Sequence, residues 1–573
     1  MTAAVEISAT STVTSAGAAD PDGAGPQPSP PTRPVPAALI PWEDPHPRLG
    51  WVSTAIVAVV AVLTRFWSLG YPPGPNVVPK NGMNFDEVYY TVEAQEILRY
   101  GYEDNRGYLF IVHPPLGKLI IALSEKLWDG SSSEWLTNSL GWRIAPATFG
   151  CLGVIMMSRI IRRVMRSNLF GLIGGLLMAM EGLSLVLART AILDIFLQTF
   201  VIAAFGALIV DRDKMRARLA GMIADGIDLR EGVPTLGPRP WRLVGGVMLG
   251  LAGAVKWTAL SFFVVFVLMS WVWDRAALKS AGMRRPLRPW ARRSVLPGLG
   301  SLVVAPIGAY LLTYLGWFTG ENGYNRHWAD THSASTKIDP IPFIPLRIPF
   351  DWGWLPGPIR SLGSQIHDAY TFHVGLDSGH VYGSKPWSWL VLGRPVDFFY
   401  NGSEKTCGAA SCSRTVLLIG TPLMWWAFVP MLLWLAWHWL TTRDWRAAVV
   451  WVAFAAGWLV WFFDLKRTMF LFYMAPLVPF LVLGLTLALG VMLGPALRAR
   501  DRSAVSDGDL DAAEIAAEIA YARSVRRRQW GIAGVTTYLA LVIADFVWMW
   551  PIFTGGLLTY AQWHAHMWLP SWV

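Results

Sequence analysis

The stretch Asn84-Phe85-Asp86-Glu87-Val88-Tyr89-Tyr90 sets two adjacent carboxylates shortly after a strongly apolar segment. Ionisable groups at a bilayer are costly and call for a reason. One such reason is general-base chemistry, in which a carboxylate takes the proton from a hydroxyl nucleophile. A second polar cluster, His113-Pro114-Pro115-Leu116-Gly117-Lys118, follows before the chain turns apolar again. Proline fits the first turn of a helix, so a helix over 115–128 is expected. The N-terminus of that helix, with His113 and Lys118 near it, would help hold an anion. Together the two clusters point to chemistry at a membrane surface on a lipid-carried substrate.

A structural reading competes with the functional one. Asn84 as N-cap and Glu87 as the N3 residue would form a capping box. Phe85, Val88, Tyr89 and Val92 then follow helical spacing, as in an amphipathic helix along the membrane surface. Capping explains Glu87 well and Asp86 only weakly, and a capped helix would aim both carboxylates. A third set of ionisable residues lies in or at the edge of apolar runs: Arg143, Glu181, Arg189, Asp194, Lys256 and Arg467. Such groups face a cavity or one another. Internal pairing, for example Arg189 with Glu181 or Asp194, is one reading. A cationic site for a phosphate at membrane depth is the other.

The elements that must position these groups are membrane helices. Hydrophobic residues make up 53% of the chain and charged residues 15%, and the mean hydropathy is +0.38. The expected fold is an all-α polytopic membrane protein. Eleven spans are predicted, at 51–69, 139–158, 168–187, 190–210, 243–257, 258–273, 296–317, 415–440, 447–463, 468–493 and 531–550. Residues 1–48 read as a disordered cytoplasmic tail, and 49–550 as the membrane domain. The segments placed inside carry 29 Lys and Arg against 15 outside, which puts the N-terminus in the cytoplasm. Outside then lie 70–138 with Asp86, Glu87 and His113, the large loop 318–414, and the C-terminal 551–573. The basic loop 498–528 lies inside, with Asp509 to Arg528 expected as a surface helix.

The net charge of +9 reads as topology signal and not as a nucleic-acid site. No Walker A motif, dinucleotide fingerprint or serine nucleophile elbow is present, so an activated donor should be lipid-borne. Cys407 and Cys412 could pair if their loop is extracytoplasmic. The histidines at 327, 332, 367, 373, 380, 564 and 566 match no tight ligand spacing, and no metal site is expected. The aromatic-rich loop 318–414 suits sugar stacking or the cover of a cavity.

Phe85-Asp86-Glu87-Val88, the His113–Lys118 segment, Trp142-Arg143 and Ala188-Arg189-Thr190-Ala191-Ile192-Leu193-Asp194 resemble, in order and spacing, the protein O-mannosyltransferase family. Ala254-Val255-Lys256-Trp257-Thr258 and Lys466-Arg467-Thr468-Met469-Phe470 are similar as well, and the overall style resembles an actinobacterial member. The resemblance implies the GT-C glycosyltransferase fold and mannose transfer from a polyprenyl monophosphate mannose to Ser or Thr hydroxyls of proteins crossing the membrane. It maps the family's acidic pair onto Asp86 and Glu87 and its arginine at the second span onto Arg143. Donor-phosphate roles for Arg189, Lys256 and Arg467, and site membership for Asp194, rest on shared motif positions. His113, Lys118 and Glu181 complete the candidates.

A phosphate leaving group needs cations rather than an acid, while Asp86 would deprotonate the acceptor, with inversion at the anomeric carbon. Glu87 would serve acceptor positioning or local structure. No cofactor is expected, including a divalent metal at Asp86 and Glu87. Expected partners are the lipid-linked donor, unfolded Ser/Thr-rich secreted proteins, membrane lipids and the secretion translocon, at the plasma membrane with an extracytoplasmic site. The chain departs from eukaryotic members in lacking a β-trefoil insert in 318–414. It also has Leu471-Phe472-Tyr473-Met474 where they carry histidines. A GT-C transferase acting on a glycolipid or polysaccharide is the nearest alternative, and a transporter or flippase a more distant one.

Overall fold

A computed structural model describes residues 34–71, 83–104, 112–128, 139–230, 232, 235–332, 353–494 and 512–573. Pro47 opens α1 (Pro47–Phe66), where its fixed φ suits a first turn. Two helices of the first outer loop follow, α2 (Glu87–Tyr100) and α3 (Leu116–Trp128), the second as expected. Next come α4 (Ser139–Met165), α5 (Asn168–Ala179), α6 (Gly182–Ala188), α7 (Asp194–Ala224), α8 (Pro240–Gly253) and α9 (Ala259–Ser280). Beyond α9, apolar helices cover Leu287–Leu312, Pro422–Thr442, Trp445–Phe462, Leu471–Leu493 and Ile519–Thr554. The central α7 is buried on nearly all sides over its apolar part, as a helix hydrophobic all round must be.

Among the described residues nine helices are long and apolar enough to cross a membrane, or ten if α5 and α6 form one bent span. The predicted eleven is not reached, because 243–257 forms the 14-residue α8, which stops short of the length a crossing needs. The predicted span 415–440 starts only at Pro422. Its first residues lie in a small antiparallel sheet of β1 (Val396–Asn401), β2 (Cys412–Leu418) and β3 (Leu558–Thr559), ordered β1-β2-β3. Cys407, in the turn after β1, and Cys412, the first residue of β2, form a disulfide. The C-terminal segment contributes β3, and the indole of Trp572 donates to the Leu392 carbonyl at 2.7 Å. Ala512–Thr554 is one helix of 43 residues and not a surface helix followed by a span. No proline interrupts it before Pro551. Residues 1–33 of the predicted disordered tail lie outside the described residues, and the described part corrects that reading: Leu39 is fully buried in a cluster with Met215, Leu219 and Leu278.

The break between α5 and α6 bends the chain by 62°. Backbone groups freed at membrane depth need partners, and side chains supply them here. Arg65 of α1 donates to the Ala179 carbonyl at 3.2 Å, and Thr421 to the Met180 carbonyl at 2.6 Å. The Glu181 carboxylate caps α6 by accepting from the Leu183 and Ser184 amides at 3.0 and 2.7 Å.

Gly246 and Gly250, one turn apart on α8, let the helix Leu287–Leu312 approach with backbone against backbone. A Cβ at Gly246 would sit 1.8 Å from the Ser301 carbonyl oxygen. Gly246→Val therefore forces the two helices apart. The expected cost is about 1–3 kcal/mol or more, read as a lower unfolding temperature in detergent; an unchanged temperature would contradict the packing.

Candidate active site

The turn into α2 separates the fates of the two carboxylates. Phe85 has φ 51°, a left-handed conformation that is unfavourable for an aromatic residue. Its ring is held in a stack on Phe398, centroids 4.8 Å apart, with edge contacts to Phe470 and Phe472. Behind this fixed turn the Glu87 side chain is fully buried. Arg143 meets it with Nε and Nη2, each at 2.8 Å. The Ala191 amide reaches Oε1 at 2.9 Å and the Asn84 amide reaches Oε2 at 2.7 Å. The last bond is one half of the expected capping box. Asn84 does not supply the other half, since its own Oδ1 has no partner among the described residues and Asp86 holds the N-cap position.

Asp86 is only half-buried and sits in a different field. Loss of water around its carboxyl pushes it up to about 6, against the pull of Lys256 and a hydrogen bond from Tyr90, with Asp194 repelling it. Lys256, at the turn after α8, pairs with Asp194 at 2.6 Å. Burial and the neighbouring carboxylates, Asp86 first among them, hold the Tyr90 hydroxyl protonated.

Two histidines complete the cluster. The His113 and His373 rings lie 5.0 Å apart, and Tyr90 is 6.1 Å from His113. Nε2 of His373 faces the Val112 carbonyl at 2.9 Å, which can only accept, so this nitrogen carries the proton. Nδ1 then accepts from Arg467 Nη2 at 3.3 Å, which also fits a neutral ring. Burial and the nearby Arg467 lower His373 to about 4. Burial and four positive or ionisable neighbours, Lys256 foremost, push His113 well below its usual range. Arg467 is fixed further by Nε to the His373 carbonyl at 2.8 Å and Nη1 to the Tyr473 hydroxyl at 3.2 Å. Its guanidinium lies 5.4 Å from the Trp461 ring.

Several sequence candidates are occupied elsewhere. Arg143, expected to hold the donor phosphate, is buried against Glu87. Arg189 pairs with neither Glu181 nor Asp194, which corrects that expectation. It caps the end of α1, giving Nη1 to the Arg65 and Trp67 carbonyls at 3.1 and 2.7 Å. Glu181, besides capping α6, accepts from the Trp425 indole at 2.8 Å. Lys118 is buried between Glu93, at 3.2 Å, and Glu103, and donates to the His113 carbonyl at 3.1 Å. Lys256 and Arg467 are the candidate cations left near Asp86. Tyr90, His373 and Tyr473 were not singled out from sequence. Tyr90 sits in the opening motif itself, while His373 gave no local signal, because its partners are 261 and 94 residues away.

Glu87→Gln should destabilise the protein by about 3–5 kcal/mol, because it leaves the Arg143 charge buried and uncompensated. Asp86→Asn should leave thermal unfolding unchanged. Equal unfolding curves for Glu87→Gln and wild type would contradict the buried pair.

Residues 55–314 match the family described as dolichyl-phosphate-mannose-protein mannosyltransferase. Residues 365–572 match the C-terminal four-span region of protein O-mannosyltransferase. A polyprenol-phosphate-mannose–protein mannosyltransferase of Mycobacterium tuberculosis is 37% identical over 95% of this chain and 97% of its own. Similarly named proteins of Mycolicibacterium smegmatis and Corynebacterium glutamicum are 38% and 34% identical, over 91% and 92% of this chain and 93% and 94% of their own. In fold, the chain is similar to the Saccharomyces cerevisiae protein O-mannosyltransferase Pmt1–Pmt2 complex bound to the sugar donor. That likeness has a TM-score of 0.66 at 15% identity, over 91% of this chain and 92% of that one. The chain belongs to the protein mannosyltransferase family.

Proposed function

We propose that the protein transfers mannose from polyprenyl phosphate mannose to Ser or Thr hydroxyls of proteins emerging across the plasma membrane, with Asp86 as the base. The observation that carries this reading is the unequal treatment of neighbouring carboxylates. Glu87 accepts four hydrogen bonds and has no exposed surface. Asp86 keeps exposed surface and is tuned to about 6, close to the working range of a general base.

Asp86 takes the hydroxyl proton as the acceptor oxygen attacks the anomeric carbon. The bond from that carbon to the phosphate oxygen breaks, and its electron pair leaves with the lipid phosphate. Attack opposite the leaving group inverts the centre. Lys256 and Arg467 offset the charge that develops on phosphate. His113 and His373, neutral, add hydrogen-bonding capacity without further charge. The Phe85, Phe398, Phe470 and Phe472 rings offer an apolar wall for the sugar or the first prenyl units. The scheme calls for no metal. The Lys and Arg bias and the Cys407–Cys412 bridge both support an extracytoplasmic site, where the secretion translocon would deliver unfolded acceptors.

Purified protein supplied with labelled polyprenyl phosphomannose and a Ser/Thr-rich peptide should label the peptide. Asp86→Asn should lose about 10²–10⁴-fold in turnover, and wild-type turnover in that variant would remove the base assignment. Label on a glycan acceptor and none on peptide would favour the alternative transferase. Lys256→Met and Arg467→Met should each lower turnover; normal turnover in both would remove the cationic site.

A further inference from the structure

At the other end of the bundle from Asp86 lies a cavity of about 530 Å³. Arg143, beside Glu87, and Arg163, on the cavity wall, are on the same helix α4. At a rise of about 1.5 Å per residue they are about 30 Å apart, so the cavity is no extension of the site above. Five arginines line it, Arg163, Arg166, Arg212, Arg216 and Arg446, against two carboxylates, Asp213 and Asp444.

The carboxylates are already engaged. Asp213 accepts from Arg163 at 2.7 Å and from Arg212 at 2.9 Å. Asp444 accepts from Arg446 at 2.7 Å. The cavity thus keeps an excess of three positive charges when its own pairs are counted. Arg212 is held rigidly, nine-tenths buried, with its guanidinium 3.7 Å above the Trp445 ring. Arg216 donates Nη1 to the Ala38 carbonyl at 2.8 Å. That carbonyl belongs to the N-terminal segment, which closes one wall of the cavity and is pinned by the buried Leu39. Arginines clustered around a concave space, one of them with its plane set by stacking on Trp445, match the demands of a phosphate group. A cluster serving topology alone needs neither a cavity nor a wall built by a distant segment.

We propose that this cavity is a phosphate-binding site, taking the phosphate of an anionic lipid headgroup or of a soluble phosphate compound. The site does not depend on the transfer reaction proposed above. Its test is thermal unfolding of the full-length protein in neutral detergent at constant ionic strength, titrated with pyrophosphate, phosphatidylglycerol or phosphatidylcholine.

Wild type should show a saturable rise in unfolding temperature with pyrophosphate or phosphatidylglycerol and none with phosphatidylcholine. A response to phosphatidylglycerol alone assigns the headgroup source, and a response to pyrophosphate the soluble one. Arg216→Gln and Arg166→Gln should each weaken the apparent affinity at least tenfold, while Lys256→Met should retain it. Arg166 is exposed, so its variant keeps the test valid if Arg216→Gln folds poorly. No saturable response in wild type overturns the proposal. So does a response that survives Arg166→Gln but is lost in Lys256→Met, which would place the phosphate at the other site.

Discussion

A carboxylate with no exposed surface is tolerated only where fixed donors replace the water it has lost, and Glu87 has four. They come from the α2 entry turn, from α4, and from the break between α6 and α7. One side chain therefore ties the first outer loop to two membrane helices. Removing either member of the Glu87–Arg143 pair would leave a buried charge without its counter-ion. The neighbouring residue inherits the benefit: Asp86 projects from a turn that cannot drift, since Glu87 anchors one side and the Phe85–Phe398 stack the other. The unfavourable φ at Phe85 is the cost of this arrangement, and it falls at the position that aims the reactive group.

Charge is spaced with the same economy. Lys256 both pairs with Asp194 and pulls on Asp86, which keeps the proposed base from rising into a range where it would stay protonated. Two histidines close to two cations are held neutral, which limits repulsion around the proposed phosphate site. Among the described residues Arg467 is oriented by His373 and Tyr473 and by no carboxylate. Arg143, held by Glu87, and Arg189, held by carbonyls at the end of α1, tie the surrounding frame together.

The helical membrane fold was legible from composition, and the position of α3 from the His113–Lys118 segment, because both depend on local pattern. The span count fell short where pattern and length diverge, as at α8, and the start of the 415–440 span was misplaced where the apolar run became strand β2 through pairing with β1 and β3. Asp86 and Glu87 stood out through their setting, but their division of labour did not. It depends on Arg143 and Ala191, which are 56 and 104 residues from Glu87. For the same reason the pairing of Arg143 with Glu87 and the hold of Arg189 on the end of α1 were not legible: a sequence displays a cation near a membrane edge without displaying its partner. His373 joins the cluster only through contacts far along the chain.

In the proposed scheme Asp86 acts as the base under the influence of Lys256. The direct measurement is kcat/KM for mannose transfer as a function of pH, in wild type and in Lys256→Met. Protonation of Asp86 removes the base, so wild-type activity should fall as pH drops through about 6. Loss of the Lys256 charge should move that midpoint upward, whatever it does to the plateau. A wild-type profile that is flat through this range, or a midpoint unmoved in Lys256→Met, would contradict the account.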